Sequence, residues 1–228
     1  MDKLLVMCPS RNRPDRIREM LSSFDATKSP GTSMAVYVSD DDPQLDKYRA
    51  ILEERGILHV GPRKCIVEVF NFLSSEVYPG FEYYGEVNDD HFYVTKGWDQ
   101  ILIQRIKENG GWGISSGNDW KGMRHPSACV ISGNIVRTLG HFIHPSFQHL
   151  FVDDYLRDIG DGIGKLMFDP GVSIEHRHWA NGTVGWDDTY RWVYSDEQWA
   201  VGRKAYKEWS ESFRNDEINK IKEAMLVK

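Results

Sequence analysis

Between residues 83 and 99 the chain reads Tyr-Tyr-Gly-Glu-Val-Asn-Asp-Asp-His-Phe-Tyr-Val-Thr-Lys-Gly-Trp-Asp. Asn88, Asp89, Asp90 and His91 follow directly on a β-prone run, Tyr83 to Val87, and precede a turn and a helix starting near Gly97. A hard divalent cation such as Mg²⁺ or Mn²⁺ is held by one or two carboxylates together with phosphate oxygens of its substrate, so Asp89, Asp90 and His91 form a candidate ligand set. In open α/β sheets the ligand crevice lies outside the carboxyl ends of the strands, which is where this cluster falls. A solvated turn with a helix cap is the plainer use of the same residues.

Two further groups lie at strand ends. Pro9-Ser10-Arg11-Asn12-Arg13 follows the apolar run Leu4 to Cys8 and leads into Pro14, a residue suited to the first turn of a helix. Backbone N–H groups and two guanidinium groups at a helix N-terminus favour an anion such as a diphosphate, although Arg11 and Arg13 could equally be exposed side chains. Asp40-Asp41-Asp42-Pro43 follows the strand candidate Met34 to Ser39. A carboxylate there, Asp40 or Asp41, can accept hydrogen bonds from a ribose or base, with Asp42 read as a helix cap.

These groups need a scaffold that brings strand ends together. Leu4 to Cys8 is apolar throughout, the pattern of a central parallel strand buried on both faces. Ile17, Met20, Leu21 and Phe24 recur at helical spacing, as do Leu45, Tyr48, Ile51 and Leu52, then Ile66, Val69, Phe70, Leu73 and Val77, and then Trp98, Ile101, Leu102 and Ile106. Short strand candidates separate them, including Ile57 to Val60 ahead of the basic loop Gly61 to Lys64. Alternation of this kind predicts an α/β fold with a Rossmann-like, mostly parallel sheet and helices on both faces. The second half is less regular. It offers strands at 112–115, 128–132, 165–168 and 172–175, short helices at 133–139 and from about 149, no clean period from Trp179 to Trp192, and helix from Ser195 onward.

With 28 Lys+Arg against 34 Asp+Glu the net charge of −6 supplies no global field for nucleic acid. No apolar run is long enough to span a bilayer, and the N-terminus enters a strand pattern without the apolar region and cleavage site of a secretory signal. Cys8, Cys65 and Cys129 sit in apolar segments as an odd, scattered set, read as buried thiols in a reducing cytoplasm. Trp98, Trp112, Trp120, Trp179 and Trp186 exceed what the core requires, so that some can stack on a sugar or a base while any single one is accounted for by packing.

In order along the chain, these motifs resemble the GT-A type of glycosyltransferase, nearest to the broad family 2 group and to compact forms from bacteriophages and bacteria. The resemblance covers roughly residues 3 to 190. Val-Met-Cys-Pro-Ser-Arg-Asn-Arg-Pro is similar to the family's opening strand and loop, Val-Ser-Asp-Asp to its nucleotide-binding acid, and Gly-Pro-Arg-Lys before a helix with Asn71 to the segment approaching the nucleotide. Asn-Asp-Asp-His followed by Gly-Trp-Asp is similar to the metal motif, aligned as Asn88-Asp89-Asp90 or as Asp89-Asp90-His91. Val-Asp-Asp-Tyr-Leu-Arg-Asp-Ile-Gly is similar to the helix start carrying the catalytic base, which implies Asp153 first and Asp154 second; the same acids would also suit a helix N-terminus. Ile-Glu-His-Arg-His is similar to the late strand whose histidine completes the metal site, His176 ahead of His178, and Asp187-Asp188-Thr189-Tyr190 recurs in compact members without a firm role.

The resemblance implies a metal-dependent enzyme that moves a sugar from a nucleotide-diphosphate sugar, a UDP-sugar foremost, to a hydroxyl with inversion, using Mn²⁺ or Mg²⁺. Donor contacts would fall to Pro9, Ser10, Arg11, Arg13, Asp40, Asp41, Arg63, Asn88 and Asp89, and metal contacts to Asp90, Asp89, His91, His176 and His178. Trp98, Trp112 and Asp119 are the acceptor-side candidates, with a glycan, a protein or a modified DNA base as acceptor. The transferase domain would span 1–194, divided into a nucleotide-binding half (1–99) and an acceptor and catalytic half (100–194), followed by a helical extension at 195–228. The expected location is the cytoplasm, the host's if the gene is a phage's. A nucleotidyltransferase of similar fold and a non-catalytic sugar- or nucleotide-binding module are the alternatives.

Overall fold

The computed structural model describes residues 2–119 and 126–227. Along the first strand, β1 (Leu4–Ser10), Leu5 and Met7 point to one face of the sheet and Leu4, Val6 and Cys8 to the other, all at most 1% exposed. A strand buried on both sides needs helices on both, and that requirement organises the rest.

The other strands are β2 (Thr32–Ser39), β3 (Leu58–Gly61), β4 (Tyr83–Glu86), β5 (His91–Tyr93), β6 (Ile114–Asn118), β7 (Val130–Ser132) and β8 (Leu166–His176). They form one sheet in the order β3-β2-β1-β4-β7-β6-β8-β5. β1 runs parallel to β2 and β4, β2 to β3, and β6 to β8, whereas β7 is antiparallel to β4 and β6, and β5 to β8. The expected mostly parallel α/β sheet with two helical layers is therefore present.

The helices are α1 (Pro14–Thr27), α2 (Leu45–Leu52), α3 (Ile66–Asn71, continued by a π-helical turn to Val77), α4 (Trp98–Glu108), α5 (Gly133–Leu139), α6 (Val152–Gly162), α7 (Asp188–Val193), α8 (Asp196–Ser212) and α9 (Arg214–Leu226). α1, α2 and α4 cover the face that holds Leu4 and Val6; α3, α5, α6, α8 and α9 cover the face that holds Leu5 and Met7. Among the described residues no helix is long and apolar enough to cross a membrane.

Several elements differ from their sequence reading. The two strands expected at 165–168 and 172–175 are one strand, β8, with a register shift opposite Gly117 and Asn118. Pro170-Gly171 reads as a break, but a bulge absorbs both residues, and Asp169 Oδ1 accepts the Gly171 N–H at 2.9 Å. The helix expected from Ser195 onward is present as α8 and α9, which place Ala205, Trp209, Ile218 and Ile221 in the same core as Leu5 and Met7. Trp98 is 1% exposed beside Phe24 and Tyr93 and has no surface to offer an acceptor. Trp112 is half-buried against the other core, and Trp120 lies outside the described residues.

Candidate active site and metal centre

The C-terminal ends of β1 and β2, the loop after β3, the turn after β4 and the segment around α7 enclose a cleft of about 370 Å³. Pro9, Ser10, Arg11, Arg13, Arg63, Asn88, Asp89, Asp90, His176 and His178 all line it. Asp40 and Asp41 do not: Asp40 is exposed at the end of β2, Asp41 pairs outward with Arg11 at 2.6 Å, and Ser39 faces the cleft instead. Asn71, in the segment compared with the nucleotide approach, is structural, since its side chain accepts from the N–H groups of Phe142 and Ile143 and donates to the Ile143 carbonyl.

The loop after β1 is built to aim Arg13 inward. Asn12 adopts φ +57°, a left-handed conformation that Asn tolerates better than most residues, and its N–H donates to Asp42 Oδ2 at 2.8 Å. The Arg13 N–H donates to the Tyr48 hydroxyl at 2.8 Å. Its guanidinium, 8% exposed, donates to Asp89 Oδ1 at 3.0 Å and grips Asp187 at 2.7 and 2.9 Å, with the Tyr190 ring 4.3 Å beneath it. Burial works against this charge, but Asp89 and Asp187 outweigh it and raise the Arg13 pKa.

The adjacent acids divide. Asp89 accepts from Arg13 and, at 2.7 Å, from the Ser10 hydroxyl, so it is turned toward β1. Asp90 turns the other way. Its Oδ1 lies 3.2 Å from His176 Nε2 and 3.7 Å from His91 Nδ1, and its Oδ2 accepts the Tyr190 hydroxyl at 2.7 Å. His91 and His176 are directly opposed in the β5–β8 register, with rings stacked at 4.2 Å and 18°. Asp90, His91 and His176 thus bring one ligand atom each within 4.8 Å of one another. Of the sequence candidates, Asp89 falls outside this cluster because its carboxylate is taken up by β1, and His178 is held by Tyr194 (3.0 Å) and the Ala180 N–H (3.2 Å).

The donor set fits a cation. Asp90 Oδ1 and His91 Nε2 are buried with no hydrogen-bond partner, an expense that a bound metal would remove. Burial would raise Asp90, but the close contact and charge of His176, then His91 and Tyr190, hold it well below the usual carboxylate range. Burial, then the charge of His176, lowers His91 to about 4, leaving it neutral with a lone pair to give.

Packed against β8, the strand that ends at His176, is α6. Phe151, at φ +69°, turns the chain into it, and Gly202 of α8 lets that turn pack closely, since a Cβ there would sit 2.9 Å from the Phe151 ring. Asp153 and Asp154 occupy its first turn. Asp154 pairs with Arg157 at 2.7 Å on the helix surface. The charge of Asp153 reaches the site: after burial and Asp90 it acts on Tyr194, which stands at about 12, and after burial it is the main influence on Glu86. Asp119, 5% exposed, accepts from the Ser127 hydroxyl at 3.0 Å, and its carbonyl accepts the His176 N–H at 2.9 Å.

Five residues carry no role in the sequence reading. Asp187 and Tyr190 clamp Arg13 and Asp90 from α7, having stood out in sequence only as a motif without a task. His149, lowered to about 4 by burial and Arg13, and Trp192, beside Arg63, also line the cleft; nothing in their local sequence marks them.

Glu86, at the end of β4 and 5% exposed, is the fifth, and it yields a prediction. Burial and then Asp153 push its carboxyl up from the ordinary 4.5 to about 8, against the pull of the Cys129 N–H. Between those pH values the folded protein retains a proton that the unfolded chain has released. Stability attributable to Glu86 is therefore full below about pH 4.5 and falls up to about pH 8, by about 1.4 kcal/mol per pH unit at most. Glu86→Gln should abolish this component, so its Tm should exceed the parent's by a margin that widens from pH 5 to pH 8 in the presence of EDTA. Parallel Tm curves would show that Glu86 ionises normally.

No protein-family model matches the sequence. No curated protein matches it either. Solved structures do resemble the fold. The mannosyltransferase PcManGT from Pyrobaculum calidifontis, in complex with GDP-Man and Mn²⁺, superposes with a TM-score of 0.59 at 11% identity, over 97% of this chain and 73% of that one. Residues 1–349 of S. aureus TarS, in complex with UDP-GlcNAc, give 0.55 at 13% identity over 98% of this chain and 71% of that one. Against a longer S. aureus TarS structure the score is 0.55 at 15% identity, over 93% of this chain and 44% of that one. The chain has the fold of GT-A-type glycosyltransferases.

Proposed function

We propose that the protein is a metal-dependent glycosyltransferase that moves a sugar from a nucleotide-diphosphate sugar to a hydroxyl acceptor, with inversion. The observation that carries this reading is the convergence, in one cleft, of the Ser10–Arg13 loop with Asp90 and His176, which with the buried His91 form the candidate metal cluster. The fold neighbours complexed with GDP-Man and Mn²⁺ and with UDP-GlcNAc support it.

Asp90, His91 and His176 would hold the cation, and two imidazoles beside one carboxylate favour Mn²⁺ over Mg²⁺. Such a cation neutralises charge on the departing nucleoside diphosphate. Arg13 and Arg63 add positive charge from the protein, and Pro9, Ser10 and Asn88 line the same wall. For Arg13 to meet a diphosphate, the carboxylate of Asp187 must yield its two hydrogen bonds. Asp153 is the proposed base that takes the acceptor proton as the oxygen attacks the anomeric carbon opposite the leaving group. Asp40 and Asp41 remain candidates for the nucleoside only if the donor reaches past Ser39.

Incubating the protein with UDP-, GDP-, ADP- and dTDP-sugars and Mn²⁺ should release nucleoside diphosphate from at least one, and EDTA should stop it. Release of pyrophosphate would instead indicate a nucleotidyltransferase. Failure of every donor to turn over or to raise Tm would remove the transferase reading.

A further inference from the structure

Two of the largest exposed apolar side chains stand together at the rim of the site. Trp179 is 37% exposed and Trp186 47%, and their rings meet edge to face at 4.5 Å and 86°. Tyr194 lies behind both, 5.9 Å from Trp179 and 6.3 Å from Trp186. Tyr190 lies 6.0 Å from Trp186, tilted by 33°, and its hydroxyl is the one bonded to Asp90. The aromatic surface therefore starts at the metal cluster and ends in solvent. Neither indole lines the donor cleft, whereas Trp192 does, beside Arg63. The corner is braced from below, since Asn181 donates to the His176 carbonyl at 2.7 Å and the Asp187 side chain caps α7.

Perpendicular indoles form a corner with one flat face and one wall. A pyranose presents C–H groups on one face and hydroxyls around its rim, so it stacks on such a face while its rim meets polar neighbours. The charges around the corner disfavour a polyanion. Among the described residues flanking it, Arg13 and Arg16 are matched by Asp187, Arg191 by Asp188, and Arg177 by Glu175 and Glu19. A phosphate backbone would need cations free to replace its counterions.

We infer that Trp179 and Trp186 form a binding shelf for a pyranose ring of a neutral saccharide, placed to hold the acceptor of the reaction. Its role as the acceptor side rests on the transferase reading above; its ability to bind a saccharide does not.

The test is binding of the full-length protein, without donor, to immobilised neutral chito-, manno-, cello- and malto-oligosaccharides, with a short single-stranded DNA as the competing class. At least one saccharide should bind, with affinity falling about tenfold in Trp186→Ala and in Trp179→Ala and partly retained in Trp186→Phe. Both residues are exposed, so far-UV circular dichroism and Tm should stay near the parent's and report any misfolding. No saccharide bound by the parent protein, a double Trp179→Ala/Trp186→Ala variant within twofold of it, or tighter binding to DNA than to every saccharide would each overturn the inference. Donor hydrolysis by the parent protein is scored separately, so a dead transferase with a working shelf, or the reverse, is told apart.

Discussion

Asp90→Asn is expected to abolish Mn²⁺ binding and to lower donor turnover by at least about a thousandfold. Asp90 is the carboxylate of the proposed cluster, and its buried Oδ1 lies 3.2 Å from His176 Nε2. Asparagine keeps the shape but removes the negative charge that offsets the dehydration of a divalent ion, and it can turn N–H donors toward nitrogen lone pairs that would otherwise face the metal. Calorimetric titration of Mn²⁺ reads the first effect directly, and the Mn²⁺-dependent rise in Tm reads it a second way. Asp89→Asn makes the contrast. Its carboxylate serves Ser10 and Arg13, so this variant should still bind Mn²⁺ while weakening one of the contacts that hold Arg13 in the cleft. If Asp89→Asn loses the metal and Asp90→Asn keeps it, the assignment is reversed.

That contrast marks where the sequence stops being informative. Leu4 to Cys8 announces a doubly buried strand because five adjacent side chains can all be apolar only if both faces are covered, and Pro14 announces the helix that follows. The acids after β4 are equally visible as a group. Which of them meets a metal is not, because the choice between Asp89 and Asp90 is made by Ser10 and Arg13, 79 and 76 residues away, and by the register that sets His91 opposite His176. Tyr190 reaches Asp90 across 100 residues, and a six-residue helix fixed by a cap and tertiary contacts leaves no period to read. Tryptophans are ambiguous for a related reason: residue type gives the size of the ring and not its side of the surface. Trp98 fills the core while Trp186 stands in solvent. The C-terminal helices are legible because Trp199, Tyr206 and Trp209 recur as apolar positions in an otherwise charged segment, and Trp209 is fully buried and donates to Glu217 at 2.9 Å.

Asp153→Asn should lower kcat by about a hundred- to ten-thousandfold while leaving Mn²⁺ affinity and donor KM near the parent's, the pattern of a lost proton acceptor rather than a lost binding group. The two acids opening α6 look interchangeable in sequence, but Asp154 spends its charge on Arg157 at the helix surface, and its change to Asn should cost no more than an exposed ion pair, about 0–1 kcal/mol of stability, with little effect on kcat. Asp153 has a second readout that does not depend on turnover. Its negative charge is, after burial, the main reason Glu86 holds its proton up to about pH 8. Removing that charge should lower the Glu86 pKa, so the pH range over which Tm declines should end at a lower pH in Asp153→Asn than in the parent. A variant that loses activity with the Tm profile unmoved would mean that Asp153 lies too far from Glu86 for their charges to interact, and so outside the site in which it is proposed to act as base.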